Sequence, residues 1–275
     1  MRYFRLSVVL LFLLSLALCV WTVHEYRQNS NADLPVLTCQ EDFLELSVSD
    51  GPEALMAGLS AYDKTDGDLT DQILVASVSH FIQPGTVKIK YVVFDSHNNS
   101  ATVSRKVHYT DYESPRFSLG KAPIYLRGDN FDLLKYITVT DALDGDISHK
   151  VKVVSSAVSN YSAGSYPISL EVANSYGDTA QIELRVIYQD KNNARVTITL
   201  KDYITYVETG SRFDPMASIL SVTDGNGAAL NKNAVTIDGN VDTSQPGCYQ
   251  LTYSYEANGL QGQSCMTVVV TDRED

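Results

Sequence analysis

The stretch AYDKTDGDLTDQI (61–73) decides the fold, because it returns as VTDALDGDISHKV (139–151). Asp66-Gly67-Asp68 and Asp144-Gly145-Asp146 are 78 positions apart. A similar recurrence surrounds them. Gly85 opens PGTVKIKYVVFD (84–95), Gly164 opens AGSYPISLEVAN (163–174) and Gly247 opens PGCYQLTYSYEA (246–257). Each stretch closes alike, with VHYTD at 107–111, VIYQD at 186–190 and VVVTD at 268–272. A fixed period of this length marks a tandem array. The copies span 35–111, 114–190 and 194–272.

Inside each copy the apolar period is two. Val87, Ile89, Tyr91 and Val93 alternate with polar or outward residues, as do Tyr166, Ile168, Leu170 and Val172. Tyr249, Leu251, Tyr253 and Tyr255 repeat the pattern. The partner runs Ile182, Leu184, Val186, Tyr188 and Met266, Val268, Val270 alternate too. Such alternation means strands with one buried and one wet face. DSHNN, NSYGD and EANGL lie between the paired runs, and their Asn, Asp and Gly tolerate positive φ, as hairpin turns require. Short strands with regular turns predict an all-β chain of three tandem immunoglobulin-like β-sandwiches, antiparallel and each with a modest core. Helix is expected in one or two turns at PEALMAGL (52–59) and at FDLLKY (131–136). The connectors YESP (112–115) and KNN (191–193) are short, which predicts a semi-rigid array.

The segment LSVVLLFLLSLALCVWTV (6–23) holds 18 residues without a charge, enough for a membrane-spanning helix. Arg2 and Arg5 precede it in the short segment 1–5, which is expected to stay cytoplasmic and to send the C-terminus outside. Trp21 stands at the outer end, where aromatic belts occur. The competing reading is a cleaved signal peptide and a secreted chain. Against it, Leu18 directly before Cys19 suits lipoprotein processing poorly, and no Ala-x-Ala follows the run. Residues 24–34 are polar and read as a juxtamembrane spacer. No sorting pentapeptide or second hydrophobic tail follows the last strand, so anchoring is expected from the N-terminal segment alone.

Charged residues make up 20% and hydrophobic residues 44%, a composition that folds. The net charge of −12, with Arg2 and Arg5 on the other side of the apolar run, argues against nucleic acid as a partner.

On these residues the chain resembles the bacterial Ig-like repeats of cell-surface proteins, a type also found in certain pesticidal crystal proteins. The family signature is similar to V-T-A-x-D-x-x-D-G-D-I-T. It is matched by Ala61, Asp63, Asp66, Gly67, Asp68, Leu69 and Thr70, and again by Val139, Thr140, Asp141, Asp144, Gly145, Asp146, Ile147 and Ser148. A V-x-D-x-x-G-N-x-A hairpin appears as Val93, Asp95, Asn98, Asn99 and Ala101, and more loosely as Val172, Asn174, Gly177, Asp178 and Ala180. The third copy keeps Val222-Thr223-Asp224 without the Asp-Gly-Asp and is the degenerate one. The resemblance implies a bacterial cell envelope and a sandwich fold. It is nearly silent on function, since such domains serve as spacers, adhesive modules and enzyme appendages.

Asp63, Asp66, Asp68 and Asp71 crowd one loop, and Asp141, Asp144 and Asp146 its counterpart. Clustered carboxylates make weak Ca²⁺ binding one reading. The favoured one is a turn whose Asp side chains accept from nearby backbone N–H groups. No other cofactor is expected. Cys248 and Cys265 flank the last hairpin on outward parity. With the turn centred between Glu256 and Ala257 they face each other, and a cross-strand disulfide is expected. Cys39 has no evident partner, and Cys19 lies in the apolar run. His24, His80, His97, His108 and His149 are scattered, with no H-E-x-x-H, G-x-S-x-G or phosphate-binding loop, so no catalysis is expected. Tyr112, Tyr161 and Tyr176 fall in or near loops, where aromatics grip sugars or partners or pack on a neighbouring domain.

The expected protein is a non-catalytic, membrane-anchored surface protein whose repeats mediate interaction or adhesion with an extracellular protein or glycan. The alternatives are a passive spacer, an assembly subunit of an envelope complex, or an accessory to an enzyme encoded elsewhere. The Gly- and Asn-rich TDGNGAALNKNAVTIDGN of the third copy is one place to expect binding loops.

Overall fold

The computed structural model describes residues 2–29, 34–190 and 196–272. The KNN connector, residues 30–33 of the polar spacer and the first two residues of the third copy lie outside the described residues. The chain divides into two compact units, Met1–Asp111 and Tyr112–Asp275.

The first unit opens with one helix, Arg2–Asn29. Its segment Ser7–Glu25 has a mean hydropathy of 2.2 and is long and apolar enough to cross a membrane. The helix runs six residues past Val23, so the first part of the expected spacer is helical. A three-stranded sheet follows, ordered Val36–Cys39, Leu59–Asp63, Gly67–Asp68. A four-stranded sheet is ordered Phe43–Leu46, Ser100–Tyr109, Thr86–Phe94, Leu74–Val78. Val87, Ile89, Tyr91 and Val93 are wholly buried, as their alternation requires.

The second unit contains the other two copies. In the second copy, Arg116–Leu119, Ile137–Asp141 and Gly145–Asp146 form the small sheet. The large sheet is ordered Lys152–Ser156, Gly164–Ala173, Thr179–Gln189, Ile124–Leu126. In the third, Val196–Leu200 pairs with Ile219–Asp224. The large sheet there is ordered Ile204–Glu208, Leu260–Thr271, Gly247–Ala257, Val235–Asp238. The expected short helices are 3-10 turns at Ala54–Met56 and Leu133–Tyr136.

One feature departs from an all-antiparallel sandwich. In each copy the last long strand has one parallel neighbour, as in Phe43↔Lys106, Ile187↔Ile124 and Ile204↔Thr267. The cause is a divided first strand. Val36–Cys39 pairs in the small sheet, and after three residues the chain resumes as Phe43–Leu46 in the large one. The crossing keeps the chain direction, so the second half meets the last strand in parallel.

The second copy packs around Leu133, Val139, Leu170, Leu184 and Val186, and the third around Ile198, Leu251, Tyr253, Met266 and Val268. The two copies also share a border. Ile204 of the third belongs to the core cluster of the second, with Tyr203 and Tyr206 packed against it. The Tyr206 hydroxyl accepts from the Phe117 N–H at 2.8 Å, and the Arg116 guanidinium lies 5.1 Å from the Tyr206 ring centre. Gln250 Nε2 donates to the Glu183 carbonyl at 2.7 Å.

Candidate functional site

The acidic loops are built from the same parts twice. Asp63 and Asp141 are buried. Oδ1 of Asp63 accepts from the N–H groups of Thr65 (2.8 Å) and Asp66 (3.0 Å). Oδ1 of Asp141 accepts from Leu143 (3.0 Å) and Asp144 (2.8 Å). Gly67 and Gly145 then turn the chain at φ 79° and 70°, where a side chain would be strained. The first Asp of each Asp-Gly-Asp reaches across to the hairpin loop. Asp66 accepts from the Ser96 N–H (2.7 Å) and hydroxyl (2.8 Å), and Asp144 from those of Ser175 (2.7 and 2.6 Å). The second Asp accepts from the N–H two residues on, Asp68 from Thr70 and Asp146 from Ser148, both at 2.9 Å.

These bonds follow the turn reading of the six aspartates. Among the described residues no three His, Cys, Asp or Glu side chains gather in a group able to hold a metal ion. For Asp144, burial works against ionisation. The two bonds from Ser175 and the Lys150 ammonium at 3.1 Å outweigh it and hold the carboxyl below the usual aspartate range.

Tyr112, expected in a loop, is buried. Its hydroxyl donates to Asp178 at 2.7 Å, lies 3.3 Å from Asp141 Oδ2, and accepts from Asn174 Nδ2 at 2.8 Å. Asn174 Nδ2 also donates to Asp141 Oδ2 at 3.0 Å. Burial, and then the two carboxylates, push the Tyr112 phenol far above its ordinary range. Tyr112 therefore seats the start of the second unit and offers no face to a ligand. Tyr176 is partly buried beside the same loop, and burial raises its phenol as well.

The expected Cys248–Cys265 disulfide is corrected by the strand register. Cys248 pairs with Val269, and Cys265 with Thr252, so the two cysteines are four positions apart along the ladder. That is about 13 Å at the rise of a strand, beyond disulfide reach. The turn is centred on Asn258-Gly259, both at positive φ (54° and 74°), and not between Glu256 and Ala257. All four cysteines are free thiols. Cys248 is exposed, whereas Cys265 is buried and points its Sγ at the Arg185 carbonyl, 3.5 Å away, in the second copy. Burial pushes the Cys265 thiol up to about 12.

Tyr161 has the opposite fate from Tyr112, being 89% exposed. Its loop is pinned on both sides. The Asn160 carbonyl accepts from the Gly128 N–H at 2.9 Å, and Asn160 Nδ2 donates to the Asp129 carbonyl at 3.3 Å. The Ser162 carbonyl accepts from the Tyr166 hydroxyl at 2.9 Å. Two residues on, Ala163 and Gly164 form part of a cleft of about 580 Å³ between the second and third copies. Gln189 and Arg185 line it from the second copy, and Ser254, Glu256, Gln261 and Gln263 from the third. Gln189 Nε2 donates to Gln263 Oε1 at 3.4 Å, joining the two walls. The sequence concealed this site, because nothing in a strand pattern says which outward faces meet. The available signal was a run of amides, Gln261 and Gln263 on one face of the final strand.

The profile of the family described as bacterial surface protein, Ig-like domain, matches residues 45–108 and 197–270. These lie in the first and third copies, so the third is matched despite lacking Asp-Gly-Asp. The pesticidal crystal protein Cry22Aa of Bacillus thuringiensis is 27% identical over 221 residues, covering 77% of this chain and 29% of that protein. The chain thus spans less than a third of that relative's length. Among solved structures, the M60 catalytic domain with two CBM51 domains of Clostridium perfringens ZmpB aligns with 88% of this chain and 31% of its own, at TM-score 0.25 and 13% identity. The protocadherin gammaB4 extracellular domain aligns with 87% of this chain and 51% of its own, at TM-score 0.23 and 10% identity. With sandwiches built on the repeated motif and half of the chain matched by the profile, the chain belongs to the bacterial surface protein Ig-like domain family.

Proposed function

We propose that this is a non-catalytic bacterial surface protein, held in the membrane by its N-terminal helix, whose three Ig-like domains (35–111, 114–190 and 194–272) engage an extracellular partner. The observation that carries the reading is Tyr161, a fully presented aromatic on a loop fixed at both shoulders. An exposed aromatic on a loop whose backbone is already tied down needs little loop ordering on contact, which favours binding. The basic N-terminal side and the surface family support an extracytoplasmic C-terminus.

The test uses the full-length chain in nanodiscs, applied to arrays of glycans and of extracellular proteins. Saturable binding that weakens in Tyr161→Ala supports interaction. A clean negative on both arrays from a folded sample supports the passive spacer and overturns the proposal.

A further inference from the structure

The cleft between the second and third copies has the chemistry of a defined ligand site. Its volume, about 580 Å³, lies within the range of small-ligand pockets, roughly 300–1,000 Å³. It is built entirely inside one compact unit, and its walls are long strands already committed to their sheets. We infer that this cleft binds a short uncharged carbohydrate, with Tyr161, two positions before the lining Ala163, contributing its exposed ring. This rests on the interaction reading above and adds its location and ligand class.

Three features select the ligand. Most of the polar side chains of the lining are neutral groups that both donate and accept. Gln189, Gln261 and Gln263 each carry a carbonyl oxygen and an NH₂, and Ser165, Thr252 and Ser254 carry hydroxyls. Adjacent sugar hydroxyls also donate and accept, so they can pair with such a surface at every position. Charge is the second feature. Arg185, Glu256 and Asp190 all line the cleft, and Asp190 is already held by Arg127 at 3.1 Å. Neither sign prevails inside the cleft, and the chain's net charge of −12 repels polyanions.

The third feature disfavours an apolar side-chain anchor. The aromatic residues of the lining, Tyr188 and Tyr255, are 1% and 5% exposed, so no hole is open to an apolar anchor. The exposed ring belongs to Tyr161, two residues from the lining Ala163. An exposed aromatic with a polar tip can cover the apolar face of a sugar ring.

The experiment is calorimetric titration of the full-length chain in nanodiscs with cellotetraose, maltotetraose and triacetylchitotriose. The expected result is saturable binding of at least one. Tyr161→Ala should weaken it by about fivefold or more, the scale of an aromatic contact, and Gln263→Ala and Arg185→Ala should weaken it too. Tyr62→Ala, which removes an exposed tyrosine in the other unit, should leave it unchanged. Thermal melts identify any variant that fails to fold, and the 89% exposed Tyr161 makes its variant the decisive one. No binding of the three saccharides, or binding indifferent to Tyr161→Ala, overturns the inference. If the saccharides fail while a protein on the arrays still binds, the carbohydrate site falls and the interaction reading stands. If nothing binds, both fall.

Discussion

Asp63 and Asp141 occupy equivalent places, yet only one has both oxygens satisfied. Asp141 Oδ2 accepts from Asn174, whereas Asp63 Oδ2 is buried with no hydrogen-bond partner. The first copy has exchanged the two loop residues. Asp95 stands where the second copy has Asn174, and Asn99 where it has Asp178. Asp95 turns Oδ1 to the N–H groups of His97 and Asn99, and Oδ2 to Asn99 Nδ2 (2.7 Å). Ionised, it has no proton to offer Asp63. The double exchange Asp95→Asn/Asn99→Asp keeps the charge and supplies the missing donor. It should stabilise the first unit by on the order of 1 kcal/mol, the net value of one buried hydrogen bond, and so raise its melting temperature. An unchanged or lower melting temperature would refute this account of the orphaned oxygen.

The same residues predict the acid response. Asp144 opposes its burial through Ser175 and Lys150, and Asp146 is held down by the Ser148 hydroxyl and N–H, so both carboxyls are held below the usual aspartate range. A depressed carboxylate adds stability that is fully present above its unfolded value and is lost as the pH falls through the folded one. Stability owed to these groups should therefore be flat from pH 7 to about 5 and decline below about pH 4. Asp144→Asn should shallow that decline in melts of the second unit. An equally steep decline in the variant would remove Asp144 from the account. At this scale much was legible. The Asp-Gly-Asp spacing announced paired turns, and their carboxylates do accept from nearby N–H groups. The reach to Ser96 and Ser175 was not legible, because it joins loops about 30 positions apart, where no local periodicity applies.

Among the elements, the last hairpin shows how one local signal outranks parity. Asn-Gly is the strongest two-residue hairpin signal because both positions need positive φ. Centring the turn there moves every partner by four and separates Cys248 from Cys265. Peptide-resolved alkylation of the native chain at pH 8 should modify exposed Cys248 and spare Cys265, whose thiol is buried and pushed up to about 12. Unfolding should equalise them. Protection of both, released only by a reductant, would restore the disulfide. The neighbouring strand offers a second check. A Cβ on Gly262 would stand 2.2 Å from the Val196 carbonyl oxygen, where backbone must move. Gly262→Ala should cost about 1–3 kcal/mol, the usual range for overpacking. A melting temperature equal to wild type would show that the two strands do not approach so closely.

At the scale of the molecule, the alternation of Val87, Ile89, Tyr91 and Val93 and its two echoes carried the fold, since a period of two admits one buried face only. The hydrophobic run carried the helix. The sequence did not disclose the parallel neighbour of each last strand, which comes from a first strand split between sheets. Nor did it disclose the border between the second and third copies. That border joins outward faces rich in polar groups, such as Glu183, Arg185 and Gln250, and these read as solvent-facing until their partner is known. The cleft follows from that border and was not legible, whereas Tyr161 could be read as a loop aromatic from the sequence itself.

In the proposed topology the repeats stand outside the cell on a helix that stays in the membrane. Exposed Cys248 reports on it directly. Intact cells expressing the full chain would be treated with a membrane-impermeant maleimide and the labelled peptides identified. This topology requires modification of Cys248 on intact cells, with the protein remaining in the membrane fraction. Labelling of Cys248 only after lysis, or recovery of the labelled chain from the medium, would contradict it.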